Sequence, residues 1–392
     1  MTEEDDMTYD FDTVVDRTGV GSAKWDVKPG ELPMWVADMD FVVAPCIVEA
    51  VQARAARPTY GYGDVDDTWR QAVASWWGTR HGWTVQTDAI AFCTGVVPAL
   101  SSLVRTLTPE GGQVLVQAPV YNHFFSSIGN SGRRIVSSDL MYDGDTYSID
   151  WDDLDAKLAD PATGLFILCN PHNPTGQVWT SEELARIGRL ARDHGVIVIS
   201  DEIHCDITDP GVDYTPFALA APGVPAVVTL SSTKTFSIPG LQTSAVVVED
   251  ESLRALVFAG LSRDEIGEPN SFAAVAAVAA FTDGGPWVDE MRAYVRANKD
   301  LATAAIEALG LHVVRGQATY LMWVDCASLV GADGDTAEFC DFLREKTGLF
   351  VSNGAQYRGP RFFRINLGCP RSLVEDGLNR LARGVDAWRS RG

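Results

Sequence analysis

Positive charge is in short supply in this chain. Lys and Arg number 31 against 53 Asp and Glu, a formal net charge of −22 over 392 residues. Nucleic acids and anionic membrane surfaces both call for basic patches, so neither is an expected partner. Paired cysteines are also missing. Cys46, Cys93, Cys169, Cys205, Cys326, Cys340 and Cys369 are odd in number and scattered, with no Cys-x-x-Cys among them. That spacing argues against a disulfide framework or a zinc site and for reduced thiols in a cytoplasmic protein; no metal is expected. The acidic stretch Met1–Asp12 has no apolar h-region, so no secretory signal is expected. The most apolar later run, Phe272–Phe281, is too short to span a bilayer, and its Ala and Val suit a helix buried in protein. Internal repeats and low-complexity linkers are absent from the sequence. What is present is ordinary for a soluble globular enzyme: 46% hydrophobic and 21% charged residues. The length allows a large core and two domains.

Taken in order, residues 1–45 are irregular, yet they contain Leu32-Pro33-Met34-Trp35-Val36-Ala37-Asp38-Met39-Asp40-Phe41. Large apolar side chains in an aperiodic arm predict that it lies across another surface. Helices are predicted over Cys46–Ala56 and Thr68–His81, separated by the glycine-loosened Tyr60-Gly61-Tyr62-Gly63. From Ala89 strands and helices alternate. Strands are predicted over 89–93, 113–117, 133–137, 164–169, 196–200, 226–230 and 244–248, with helices over 98–107, 151–158 and 181–194 and a turn over 94–97. Residues 118–122 read as the close of the second of these strands. Past Ser271 the texture changes to a long helix over 287–309, strands within 312–324, a helix over 336–347, a strand over 361–367 and a final helix over 372–388. The expected organisation is an arm (1–45) packing with the smaller domain, a large α/β domain (46–286) and a small α+β domain (287–392).

Polar residues gather just after the predicted strand ends, and ligands of such sheets bind outside those ends. The run Ala226–Leu230 delivers Ser231, Ser232, Thr233 and Lys234, and the chain then turns at Pro239-Gly240. An unpaired ammonium costs several kcal/mol to desolvate. A Schiff base with a carbonyl makes use of that placement, since desolvation lowers the amine's pKa. An exposed loop lysine fits this stretch taken alone equally well. Four demands of pyridoxal 5′-phosphate chemistry find candidates here: a lysine, a carboxylate for the ring nitrogen, a donor for the phenolic oxygen and a phosphate cup. Asp201 follows the apolar Val196–Ile199 and is the carboxylate, or else a helix cap or salt-bridge partner. Asn173 in Asn-Pro-Thr-Gly is the donor, or else part of a plain turn. Gly95, Val96 and Val97 open a helix and offer N–H groups to a phosphate, with Ser231 and Thr233 adding hydroxyls. Tyr121 offers a ring to stack on the cofactor, or is an ordinary core tyrosine. Arg364, on the apolar Phe362–Asn366, suits bidentate capture of a substrate carboxylate or an internal salt bridge.

As an ordered set, Asn170-Pro-His-Asn-Pro-Thr-Gly176, Asp201-Glu-Ile-His204, Ser231-x-x-Lys234 and the late Arg364 resemble the fold-type I pyridoxal-phosphate enzymes of the aspartate aminotransferase superfamily, over essentially the whole chain. Pro33–Phe41, Lys234-Thr-Phe236, Gly240-Leu-Gln242 and Arg364–Pro370 are similar to the motifs of its cystathionine β-lyase-like C–S lyase branch. The resemblance implies a large domain with a mixed, mostly parallel seven-stranded sheet between helices, and a smaller α+β domain. It implies Lys234, Asp201 and Tyr121 as catalytic residues, and Asn173, Gly95, Val96, Val97, Ser231, Thr233, Tyr62 and His204 as further cofactor contacts. Arg364, Ala37, Tyr121 and Asn173 are implied for the substrate. His204 is equally read as ordering its strand end. Gln242 stands where the aminotransferases usually place a phosphate-binding arginine. In the lyases a tyrosine of the neighbouring subunit reaches the phosphate, and Tyr62 is the matching position, which implies a homodimer with shared sites. The Ser232-Thr233 pair departs from the lyase pattern.

The implied reaction is α,β-elimination. Lys234 removes the Cα proton of a sulfur amino acid such as L-cystathionine, a thiol leaves, and pyruvate and ammonia follow. An aminotransferase using the same residues is the nearest rival, and a non-catalytic regulatory protein of the same fold is the rival from another class.

Overall fold

The computed structural model describes residues 8–391, and the sequence reading of Met1–Met7 lies outside the described residues. Fifteen strands follow in chain order: β1 (Leu32–Pro33), β2 (Ile90–Cys93), β3 (Gln113–Val116), β4 (Arg134–Ser137), β5 (Met141–Tyr142), β6 (Tyr147–Ser148), β7 (Thr163–Cys169), β8 (Ile197–Asp201), β9 (Ala226–Leu230), β10 (Ser244–Val247), β11 (His312–Val313), β12 (Leu321–Asp325), β13 (Leu349–Phe350), β14 (Ser352–Asn353) and β15 (Phe362–Asn366).

Seven of them form one sheet in the order β2-β10-β9-β8-β7-β3-β4, with only β10 antiparallel to its neighbours. The two-residue period of the strands sorts their side chains to two faces. Val114, Ile167, Ile199, Val227 and Val246 pack with helices Val96–Leu107, Asn122–Gly129 and Glu251–Arg263. Leu115, Phe166, Leu168 and Val198 face helices Trp151–Leu158 and Ser181–Asp193 instead. Towards β9, β10 and β2 the same second face, through Val228, Leu230, Ala245 and Val247, meets helices Asp67–His81 and Ala273–Asp283. Apolar side chains on both faces explain why these strands read as near-continuous hydrophobic runs.

A second, antiparallel sheet in the order β11-β12-β15-β14 packs with helices Ala337–Thr347 and Arg371–Arg389 around a separate core. Helix Gly285–Ala308 joins the two bodies: Trp287, Val288 and Met291 enter the core of the first, Ala302 and Ile306 that of the second. The arm lies across both. β1 pairs in parallel with β13 and Met34 packs in the second core, whereas Met39 and Phe41 pack in the first.

Several details depart from the sequence reading. Val96 and Val97 belong to the helix and do not form a turn before it, because Pro98 falls at its third position, where no intrahelical N–H bond is lost. The segment after β3 continues into helix Asn122–Gly129, whose first turn carries no side-chain cap to announce it. Helix Ser181–Asp193 is capped by Thr180, in a reciprocal box with Glu183, and ends at His194 with Gly195 at φ +69° just beyond.

Candidate active site

One cavity of about 190 Å³ opens at the carboxyl ends of the parallel strands. Ala37, Gly95, Val96, Val97, Tyr121, Asn173, Asp201, His204 and Lys234 all line it. Nine of the residues singled out in the sequence therefore meet, drawn from the arm and from the ends of five strands. Pro98, Cys169 and Ile203 line it as well and are absent from the sequence-based set, although Cys169 ends β7 and Pro98 lies in the helix's first turn.

Lys234 sits in a four-residue helical turn, Ser232–Thr235. Ser231 caps this turn: its Oγ accepts from Thr233 N at 3.1 Å and donates to the Thr243 carbonyl oxygen at 2.7 Å. Ser231 Oγ and Thr233 Oγ1 lie 2.7 Å apart, so these two hydroxyls brace the turn and are not among the cavity-lining residues. Lys234 Nζ donates to the Ala37 carbonyl oxygen at 2.5 Å. Burial pushes the amine down to about 8, against the opposing pull of Asp38.

Asp201 is the last residue of β8, paired with Cys169 on one side and Thr229 on the other, and so belongs to the strand. Its Oδ1 accepts from Ile203 N at 3.3 Å and Thr229 Oγ1 at 3.2 Å. Burial nonetheless pushes this carboxyl up to about 7, and the adjacent Glu202 adds to the shift. Glu202 is itself buried, accepting from Ser200 Oγ at 2.8 Å, Phe217 N at 2.8 Å and the Tyr214 hydroxyl. A carboxylate poised this way favours a cation placed against it.

Arg364 Nη1 donates to Asn173 Oδ1 at 2.9 Å and Nη2 to the Trp35 carbonyl oxygen at 3.1 Å. Its guanidinium also lies 4.6 Å from the Tyr357 ring centroid. The salt-bridge alternative does not hold among the described residues, where the guanidinium meets amide and carbonyl oxygens, and its buried Nε has no partner. A guanidinium solvated in this way retains capacity for an anion. The contact also orients Asn173: with Oδ1 taken, the amide NH₂ is the group left to donate.

His204 is buried, its Nδ1 lacks a partner, and burial pushes it down to about 3, so it is a neutral imidazole at the cavity wall. Tyr121 immediately precedes helix Asn122–Gly129, and burial holds its hydroxyl well above the usual range. Helix Val96–Leu107 has Gly95 as its N-cap and no side chain capping its first N–H groups, which leaves them for an anion. Tyr62 is fully exposed and does not line the cavity, and Gln242 is exposed as well.

This donor set fits pyridoxal 5′-phosphate. An amine lies at one point of the wall, a buried carboxylate at another, an amide donor is fixed by Arg364, an aromatic ring is available, and a helix N-terminus stands ready for a phosphate.

A family model described as aminotransferase class I and II matches residues 34–381. The chain is 40% identical over 384 residues to cystathionine beta-lyase PatB of Bacillus subtilis, covering 95% of this chain and 98% of that protein. Among solved structures, cystalysin from Treponema denticola, containing a pyridoxal 5′-phosphate cofactor, superposes with a TM-score of 0.92 at 29% identity, covering 97% of this chain and 100% of that one. The pyridoxal-phosphate-bound C–S lyase from Staphylococcus hominis gives 0.90 at 30% identity, covering 97% and 99%.

Proposed function

The chain belongs to the class I and II aminotransferase family, and from that premise we propose that it is a pyridoxal 5′-phosphate-dependent carbon–sulfur lyase, cleaving L-cystathionine or a related thioether amino acid to a thiol, pyruvate and ammonia. The observation that carries the reading is the meeting of Lys234, Asp201 and Asn173 in one cavity, with Arg364 bonded to Asn173 at its edge.

When bound, the cofactor supplies an aldehyde for an amine and a cationic ring that withdraws the electron pair left at Cα. In this reading Lys234 would hold the aldehyde carbon, Asp201 the ring nitrogen and the Asn173 amide the phenolic oxygen. The N–H groups at Gly95–Val97 hold the phosphate, with Ser231 and Thr233 fixing the lysine turn beside it. Tyr121 would offer its ring to the cofactor, and His204 walls the pocket as a neutral group.

The chain's own residues account for the proton movements. Arg364 receives the substrate carboxylate and aligns Cα with Lys234 near Ala37. Once the substrate's own amino group has replaced it on the aldehyde carbon, the freed Lys234, an amine whose pKa lies near 8, is substantially neutral at mildly alkaline pH and accepts the Cα proton. The Cβ–S bond then breaks with its electron pair on sulfur, the sulfur takes up the proton that Lys234 carries and leaves as a thiol, and water converts the remaining fragment to pyruvate and ammonia.

The exposed Tyr62 suits a role in a neighbouring subunit's phosphate site, so the reading includes a homodimer with shared sites. It also includes a cytoplasmic setting, supported by seven free cysteines, and the division into arm, large domain (46–286) and small domain (287–392), supported by the two separate cores. No described helix is long and apolar enough to cross a membrane.

The test supplies L-cystathionine without any keto acid to the cofactor-loaded protein and assays pyruvate and free thiol. Release of both supports the lyase. Turnover that appears only with a keto acid, with no thiol, would assign the site to transamination instead.

A further inference from the structure

Behind the cavity, Asp206 occupies a fully buried position at the end of the turn that follows Asp201. Its Oδ2 accepts from Thr235 Oγ1 at 2.9 Å. Its Oδ1 accepts from Trp76 Nε1 at 3.0 Å and from His81 Nε2 at 2.8 Å. Despite burial, the hydrogen bond and charge of His81, the nearby charge of Arg80 and the Thr235 hydrogen bond hold the carboxyl below its ordinary range, so it stands as an anion with three donors. His81 and Trp76 belong to helix Asp67–His81, and Trp76 packs on Phe236 with ring centroids 5.6 Å apart. Thr235 is the residue next to Lys234 in the Ser232–Thr235 turn.

Resting on the function proposed above, we infer that Asp206 is a positioning residue for Lys234. It clamps the lysine-bearing turn from behind through Thr235, to the same chain segment that carries Asp201 and to the helix that carries His81. Lys234 is held from the front by Ser231 on Thr243 and from the back by Thr235 on Asp206, so the two ends of a four-residue turn are both pinned. A turn this short has no internal ladder to hold it rigid, and a small misplacement of a reacting amine lowers its rate steeply. Cys205 lies close to His81 and Asp206, a grouping with the residue types of a metal site. Both oxygens of Asp206 are already engaged by Thr235, Trp76 and His81, which favours the clamp over a metal.

The experiment measures covalent capture of pyridoxal 5′-phosphate by stripped protein, in which Nζ adds to the aldehyde carbon and water is lost. Absorbance follows the rate, and reductive trapping with peptide mapping assigns it to Lys234. Thr235→Val deletes the hydroxyl at nearly constant volume, and Thr235→Ser keeps it. The expected result is a capture rate roughly tenfold to a hundredfold lower in Thr235→Val, and recovery to within about threefold of wild type in Thr235→Ser. In the loaded enzyme kcat falls in parallel while KM stays within about twofold. Asp206→Asn offers one acceptor oxygen to three donors and slows capture likewise, so the inference stays testable if Thr235→Val does not fold. Folded Thr235→Val or Asp206→Asn capturing at the wild-type rate overturns the inference, as does failure of Thr235→Ser to recover. Wild-type protein that captures the cofactor but releases no thiol defeats the lyase reading and leaves the clamp standing. Wild-type protein that captures nothing overturns both.

Discussion

Lys234 Nζ donates to the main-chain oxygen of Ala37 across 2.5 Å, so the reactive amine of the large sheet is held by the arm. Burial lowers this amine to about 8. Only the neutral amine attacks an aldehyde. Capture of pyridoxal 5′-phosphate by the stripped protein should therefore accelerate as pH rises, close to tenfold per unit below about 8, and level off above it. Stopped-flow absorbance checks this, and Lys234→Ala should show no capture band at any pH. A rate that keeps climbing to the range of a free lysine would contradict the shift.

Asp201 titrates near 7 when folded against 3.8 as a free side chain, so the folded protein holds the extra proton between these values. Its contribution to stability is present below the free value and is lost as pH rises through about 7. Asp201→Asn removes that loss. In cofactor-stripped protein, the stability of Asp201→Asn relative to wild type should grow from pH 4 to pH 7, to on the order of a few kcal/mol, and then flatten. Denaturant melts at several pH values read the difference directly. A pH-independent gap would show that the carboxyl is not raised.

Arg364 faces two neutral oxygens and keeps a buried Nε without a partner. Arg364→Lys keeps the charge but loses the planar fork that grips a carboxylate. The KM for an amino-acid substrate should rise roughly tenfold to a hundredfold, corresponding to about 1.5–3 kcal/mol for a charge-assisted hydrogen bond. Steady-state kinetics with unchanged KM would remove Arg364 from the substrate site.

Gly176 has φ +72°, and a Cβ there would lie 2.9 Å from Ala318 O and 3.0 Å from Gly316 Cα, both backbone atoms. Its own carbonyl oxygen accepts from Gln317 N at 2.8 Å and Ala318 N at 3.0 Å, tying the Asn173 loop to the segment leading into β12. Gly176→Ala should cost about 1–3 kcal/mol, visible as a lower melting temperature. An unchanged melt would mean that the loop relaxes freely.

Tyr62 and Lys234 provide a test of shared sites. If Tyr62 serves the neighbouring subunit, Tyr62→Ala and Lys234→Ala chains, each impaired alone, should regain activity when mixed and allowed to exchange subunits. One of the two sites is then intact, with Lys234 from one chain and Tyr62 from the other. Mixed chains as inactive as the separate ones would place Tyr62 elsewhere in the mechanism.

Most of the sheet was legible because it is buried on both faces, so its strands stand out as apolar runs with turn formers between them. Ala226–Leu230 and Trp151–Leu158 fall at the bounds read from the sequence. Helix Glu251–Arg263 leaves no clear sequence signal because its apolar residues do not keep to one face: Leu253 and Val257 are buried while Leu256 is half exposed. The sequence pattern puts Asp201 just past its strand because a carboxylate inside a buried ladder goes against the usual pattern, and such local exceptions tend to fall at functional sites.

Which side chains arrive at the strand ends follows from local properties of the chain, the two-residue period and the alternation of strands and helices. The order of Asn173, Asp201, Lys234 and Arg364 follows from the chain in the same way. Long-range packing alone sets the hydrogen bond from Lys234 to the Ala37 carbonyl oxygen, the orientation of Asn173 by Arg364, and the grip of Asp206 on Thr235 from behind. Two of those contacts join residues nearly two hundred positions apart and the third spans 29. Pairings at that range depend on how two sheets and an arm pack together, and no local pattern records it.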